Sequence, residues 1–186
     1  MLNNKPAKSY VCIDLKSFYA SVECVDRGLD PLTENLVVAD PDRGPGTICL
    51  AITPAMKALG VKNRCRIFQI PNGIEYTMAT PRMARYMEVS AQINAIYLRY
   101  VSAEDLHVYS IDECFIDATP YLKLYRMDAK AFAEMLRSKV AEETGITATA
   151  GIGPNLFLAK VALDIEAKKA ADGIGILEIG RASCRE

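Results

Sequence analysis

Residues 10–25 read YVCIDLKSFYASVECV, and this stretch decides the fold. Its first six residues form an apolar, β-rich run interrupted only by Asp14. Behind it, Phe18, Val22 and Val25 recur at helical spacing, so the whole reads as strand, sharp turn, helix. A strand that ends on an acid sets a carboxylate at the rim of a sheet, where neighbouring strands aim side chains at the same point.

Working outward, residues 35–40 (NLVVAD) read as a second strand and residues 41–46 (PDRGPG) as a turn. Residues 47–53 (TICLAIT) read as a returning strand, which completes a hairpin. Residues 54–59 follow as a short helix stopped by Gly60. Pro81 lies near the start of a long amphipathic helix reaching to about residue 100, with Tyr86, Val89, Ile93, Ile96 and Tyr97 on its apolar stripe. Residues 107–110 (HVYS) and 114–118 (CFIDA) read as two strands meeting at Asp112 and Glu113. A helix over residues 128–143 with Asp128 as its N-cap, a strand over 147–152 and a helix over 154–169 complete the series. Strand–helix–strand–strand–helix–strand order predicts an α+β sheet with helices on one face, interrupted by an inserted subdomain over roughly residues 20–80.

Asp14 therefore ends one strand while Asp112 and Glu113 lie between two others. Such acids converging at a rim repel one another unless a cation neutralises them. Oxygen-only ligands suit Mg²⁺ or Mn²⁺, and a small ligand set leaves open positions for phosphate oxygens. Acids at turns also commonly just face solvent, so spacing alone leaves both readings open.

Composition is that of an ordinary globular chain, 51% hydrophobic and 24% charged over 186 residues. No apolar run reaches the ~20 residues of a membrane span and no apolar signal core opens the chain, so a cytoplasmic protein away from membranes is expected. The cysteines (Cys12, Cys24, Cys49, Cys65, Cys114 and Cys184) form no CxxC pair, and there is a single histidine, His107. That pattern fits neither a zinc site nor a disulfide framework and predicts reduced, buried thiols. Residues 179–186 (IGRASCRE) lack periodicity and read as a translated adapter, so a non-native tail is expected over 178–186. The net charge is only −1, low for a chain that grips nucleic acid by its phosphates.

Three segments carry a resemblance. Residues 14–23 (DLKSFYASVE) closely resemble the opening motif of the Y-family DNA polymerases, and residues 110–113 (SIDE) match their second acidic motif. Residues 150–164 (AGIGPNLFLAKVALD) are similar to the family's strand–turn–helix segment with its phosphate-binding lysine. The motifs fall in the family's order, and their wording leans towards the UmuC-like branch over the DinB-like one.

The resemblance implies a polymerase palm, a ferredoxin-like sheet with helices on one face, carrying a small inserted fingers subdomain. Residues 1–19 and 81–177 would be palm and 20–80 fingers, with the thumb and little-finger domains absent. It implies translesion DNA synthesis in damage tolerance and the SOS response: template-directed transfer from a dNTP to a primer 3′-hydroxyl, with two Mg²⁺ ions or Mn²⁺ in their place. Asp14, Asp112 and Glu113 would be catalytic metal ligands, joined by the backbone carbonyl of Leu15. Tyr19 would be the steric gate under the sugar, with Phe18 packed beneath the nucleotide. Lys160 would bind the triphosphate. In the fingers the sequence departs from the family: Lys57 stands where relatives keep an arginine and Pro54 where they keep a tyrosine. Lys57 supplies charge without a planar fork, Thr53 offers a hydroxyl, and the small residues near Ala51 and Ile52 suit a roomy roof. The partners implied are primer–template DNA, a dNTP and a sliding clamp reached through a missing C-terminal region; the basic grip on DNA would lie there too. Two other readings share the acids: an inactive DNA- or partner-binding remnant, and a palm-type nucleotidyl cyclase.

Overall fold

The computed structural model describes residues 8–178; of the expected tail at 178–186, residues 179–186, with Cys184, lie outside them. Along the chain run β1 (Tyr10–Leu15), α1 (Phe18–Val25), β2 (Leu36–Val38), β3 (Ala51–Ile52), α2 (Pro54–Ala58), β4 (Thr77–Ala79), α3 (Met83–Tyr97), β5 (Leu106–Val108), β6 (Glu113–Asp117), α4 (Thr119–Tyr125), α5 (Ala129–Thr144), β7 (Ala148–Gly153), α6 (Leu156–Val161) and β8 (Ile174–Ile176). They divide into two compact units. Among the described residues the first combines 8–15 with 93–143 and 147–178; the second holds 16–92 and 144–146.

The first unit is built on a five-stranded sheet in the order β5-β6-β1-β7-β8. β1 lies at its centre, antiparallel to both β6 and β7, and is buried on both faces, with Val11, Cys12 and Ile13 at most 1% exposed. A central strand of this kind reads as a continuous apolar run, which is how residues 10–13 look in the sequence.

One face is covered by α6 and the turn after it, and glycine makes that possible. Gly151 stands opposite Cys12 and beside Gly175. A Cβ on Gly151 would lie 2.2 Å from the Ala159 carbonyl oxygen, and one on Gly175 would lie 2.2 Å from that of Ala162. Strand glycines mark such close backbone approach. The helix backbone settles onto the sheet, burying Cys12, Phe115, Ala159, Leu163 and Ala167 together. The opposite face is buried as well. Val11, Ile13, Ile116 and Ile152 are all at most 5% exposed, and Cys114 on that side lies within electrostatic reach of Tyr97, at the end of α3.

Three differences from the sequence reading have physical causes. The helix expected over 154–169 is α-helical only to Val161 and continues as a π-helical turn over Ala162–Ala167, where it lies against Gly175. β8 was not expected; it adds in parallel to β7 as a three-residue edge. α4, also unexpected, starts with Pro120 in its first turn, a position that proline tolerates.

The second unit carries a three-stranded sheet in the order β3-β2-β4. The hairpin partner of β2 is shorter than residues 47–53 suggested. Ala51 and Ile52 pair with it, flanked by bonds from the Leu50 N–H to the Val38 carbonyl at 2.8 Å and from the Thr53 N–H to the Leu36 carbonyl at 3.0 Å. Ile48 bridges to Arg66, and Cys49 N–H donates to the Cys65 carbonyl at 2.8 Å. β4 pairs in parallel with β2 and was not foreseen. This unit's core gathers Val37, Cys49, Ile52, Met56, Val61, Cys65 and Ile70. The five cysteines among the described residues are free and buried. Among the described residues no helix is long and apolar enough to cross a membrane.

Candidate active site

The acidic corner of the first unit is fixed by strand register. Asp14 on β1 is the antiparallel partner of Glu113, the first residue of β6. Register partners point to the same face, so these two carboxylates emerge side by side, on the face that α6 covers further along. Asp112 is locked beside them: its carbonyl accepts the Leu15 N–H at 2.9 Å. The turn is tight because the N–H groups of Tyr109 and Ser110 both donate to the Glu113 carbonyl, at 2.9 and 3.0 Å. Ser110 Oγ donates to Asp112 Oδ1 at 2.8 Å, orienting that carboxylate. The SIDE segment is thus a hydrogen-bonded turn that delivers Asp112 and Glu113 to the end of β1.

One cation reaches in from the covering helix. Lys160 Nζ lies 2.7 Å from Glu113 Oε1 and 3.5 Å from Asp164 Oδ1. Cys12, two residues before Asp14 on the same face, donates its thiol to Glu113 Oε1 at 3.2 Å. One ammonium does not neutralise the corner. Burial, then the charges of Asp112 and Glu113, push Asp14 up to about 6, with Lys160 only partly opposing them. Burial pulls the Lys160 ammonium down, but Glu113 and Asp164 outweigh it and the group ends above its ordinary value. The Cys12 thiol is pushed far up by burial and by Glu113, so it stays protonated.

Whether a metal ion fits has two sides. The donors are carboxylate oxygens, the excess negative charge is uncompensated, and Asp14 is held in a state that a cation would relieve, all of which suit Mg²⁺ or Mn²⁺. As the side chains stand, however, no three acidic, histidine or cysteine groups among the described residues are close enough together to hold an ion. Glu113 is turned to Lys160 instead. The residues fit the charge and hardness of the ion, and Glu113 would have to exchange its ammonium for it.

The other expected site residues lie in the second unit. Phe18 is buried, 2% exposed. Tyr19 is half-buried and stacked on Tyr86, ring centroids 4.4 Å apart. Thr53 is fully buried; its hydroxyl accepts the Leu36 N–H at 3.2 Å and caps α2 through the Met56 N–H at 3.5 Å. The hydroxyl is therefore turned into the fold, where it anchors the helix that carries Lys57. Lys57 itself is exposed in the last turn of α2. Ala51 and Ile52 face the core, and the residues that line the open cleft of this unit, about 620 Å³, include Ile48, Leu50, Arg43 and Arg66 instead.

Two features escaped the sequence reading. Ser17 opens α1 in the left-handed backbone region, φ 49°, with a buried hydroxyl that has no partner among the described residues. A serine there carries no sequence signal, since glycine or asparagine is the usual choice. Glu23, inside the first motif, is fully buried and bonded to Arg82, Arg27 and the Tyr86 hydroxyl; the helical spacing of Tyr19 and Glu23 was its only trace.

Comparison with known proteins gives a consistent picture. Residues 13–164 match the impB/mucB/samB family. The chain is 39% identical over 170 residues to the Bacillus subtilis protein UvrX, named for UV-damage repair, covering 91% of the chain and 39% of UvrX. It is 39% identical over 166 residues to DNA polymerase IV 2 of the same organism, covering 87% of the chain and 39% of that protein. It therefore spans about two-fifths of the length of these relatives. Among solved structures, a Y-family DNA polymerase chimera of Dbh and Dpo4 matches with a TM-score of 0.73 at 23% identity over 92% of this chain and 49% of its own. DinB from Sulfolobus solfataricus matches at 0.72 and 23% identity over 92% of this chain and 48% of its own. The α+β sheet architecture of these polymerases is the one found here.

Proposed function

The chain belongs to the impB/mucB/samB family, and from that premise we propose that it is the nucleotidyl-transfer core of a translesion DNA polymerase. The observation that carries the reading is the pairing of Asp14 with Glu113 across β1 and β6, with Asp112 bonded beside them and Lys160 reaching in from α6. We read the first unit as palm and the second as fingers, acting on primer–template DNA and a dNTP in the cytoplasm as part of the response to DNA damage.

In this reading Asp14, Asp112 and Glu113 would hold Mg²⁺ or Mn²⁺, with the Leu15 carbonyl as a further ligand; the ions would lower the pKa of the primer hydroxyl and supply charge for the leaving pyrophosphate. Lys160 is already poised as a cation on Glu113. Its ammonium would pair with the phosphates of a bound triphosphate, which would release the Glu113 carboxylate. Lys57 adds point charge to the phosphates from α2, which Thr53 fastens in place. Phe18 packs under the nucleotide. Tyr19 is the steric gate, its ring refusing the 2′-hydroxyl by which RNA differs from DNA.

Primer extension with Mg²⁺ in the full-length protein tests the reading. Asp112→Asn and Glu113→Gln should each lose at least ~10³-fold in rate while remaining folded. Extension that survives both substitutions sinks the proposal, and cyclised nucleotide in place of extension would assign the corner to a cyclase.

A further inference from the structure

Tyr19 does not stand alone in the second unit. Its ring lies over that of Tyr86, centroids 4.4 Å apart and planes within 14° of parallel. Tyr86 is fully buried, and its hydroxyl donates to Glu23 Oε1 at 2.7 Å. Glu23 is also fully buried. Arg82 Nε donates to its Oε1 at 2.8 Å and Arg82 Nη2 to its Oε2 at 3.0 Å, with Arg27 paired to the same carboxylate.

The pattern is two helical pairs facing each other. Tyr19 and Glu23 sit one turn apart on α1, while Arg82 and Tyr86 sit one turn apart at the start of α3. α1 needs this support. It has eight residues, no side-chain cap and a left-handed entry at Ser17, and a helix so short does not hold its own direction.

Resting on the reading of Tyr19 as the sugar gate, we propose that Tyr86 is a positioning residue for sugar selection. Its ring, fixed in rotation by the bond to Glu23, sets the plane of the Tyr19 ring and so how strictly a ribose is refused. A gate works by hard contact, and a ring free to tilt yields to a hydroxyl. Flat stacking on an immobile partner removes that freedom. Arg82 and Arg27 hold Glu23, Glu23 holds Tyr86, and Tyr86 holds Tyr19.

The experiment compares dNTP with rNTP incorporation by the full-length protein carrying Tyr86→Leu, Tyr86→Phe or Tyr19→Ala. Tyr86→Leu should reduce discrimination against ribonucleotides about tenfold, as expected of a displacement well under 1 Å at a reacting centre. Its kcat/KM for the deoxynucleotide should stay within about threefold, a split that general loosening of the fold would not give. Tyr86→Phe keeps the flat ring but loses the bond to Glu23, so its discrimination should fall between that of the parent and that of Tyr86→Leu. If Tyr86→Leu fails to fold, Tyr86→Met fills the same space without a flat ring and carries the same expectation. Adding Tyr86→Leu to Tyr19→Ala should relax selection no further, because the gate is already gone.

The two readings fail differently. Unchanged sugar selection in Tyr19→Ala removes the gate and the proposal with it. Relaxed selection in Tyr19→Ala beside wild-type selection in Tyr86→Leu or Tyr86→Met overturns the role of Tyr86 and leaves the gate standing.

Discussion

Glu23 in the second unit and Asp14 in the first are both shielded from water, and the fold treats them in opposite ways. In the second unit, Glu23 has no exposed surface, yet its carboxyl sits below its ordinary value: burial works to raise it, and bonds from Arg82, Arg27 and Tyr86 outweigh that. In the first unit, burial and the charges of Asp112 and Glu113 push Asp14 up to about 6, with Lys160 opposing them in part. The first arrangement spends its charges on holding two helices together. The second leaves charge unsatisfied at the strand ends, a state that the proposed cation would relieve.

The contrast breaks most sharply at Glu23. Glu23→Ala leaves Arg82, Arg27 and the Tyr86 hydroxyl facing a void without their acceptor. Removing one partner of a buried ionic network costs about 3 kcal/mol, and we expect that loss in urea unfolding. Glu23→Gln keeps the shape and the acceptor oxygen and should cost visibly less. Equal losses would show that charge, not shape, holds the helices. The Glu23 contribution should also persist on mild acidification. Its carboxyl lies lower in the folded chain than in the unfolded one, so the stability is fully present above the ordinary carboxylate range and is lost only as pH falls below it.

Asp14 should behave in the reverse sense. Its folded value, about 6, lies above its ordinary value of 3.8, so the fold prefers the protonated form. Stability contributed by that preference is greatest at low pH and is lost as pH rises from about 4 through about 6. At pH 7 the ionised carboxylate costs about 1–2 kcal/mol after allowance for solvent screening. Asp14→Asn should therefore stabilise the metal-free chain at pH 7 by that amount, seen as a higher Tm, while removing primer extension. Adding Mg²⁺ should raise the Tm of the parent and not of Asp14→Asn. A variant that is destabilised at pH 7, or a parent whose stability rises between pH 4 and pH 6 on account of this residue, would contradict the assignment of uncompensated charge.

The same contrast explains what the sequence made legible. β1, β6 and the acids at their ends were readable because a central strand is a dense apolar run and an acid breaking it is conspicuous. α5 was readable from its period and its cap, and Asp128 does accept the Ala131 N–H at 2.7 Å. The short strands β4 and β8 were not, since three residues hold no period and both pair with strands far away in sequence. The π-helical turn depends on backbone contact with Gly175, which no local pattern announces. Tyr86 and Glu23 lie sixty-three positions apart, so their bond is invisible until α1 meets α3. Thr53 was read for its hydroxyl and proved to spend it on a cap.

The smallest test separates burial from mere pairing. Arg85 makes a two-pronged contact to Asp26, Nε to Oδ2 at 3.0 Å and Nη2 to Oδ1 at 2.9 Å, and also reaches Glu88 at 3.2 Å. By count it rivals the bonds on Glu23. By position it does not, because the side chains of its carboxylate partners Asp26 and Glu88 are 20% and 63% exposed, whereas that of Glu23 is fully buried. Water and salt already screen these charges, and Arg82 still pairs with Asp26 when Arg85 is removed. Arg85→Ala should cost less than about 1 kcal/mol in urea unfolding, and the cost should shrink further at 1 M NaCl, where charges more than ~3 Å apart at a surface no longer interact strongly. A loss matching that of Glu23→Ala would mean that the number of ion contacts, and not their removal from water, sets the strength of the clamp on α1.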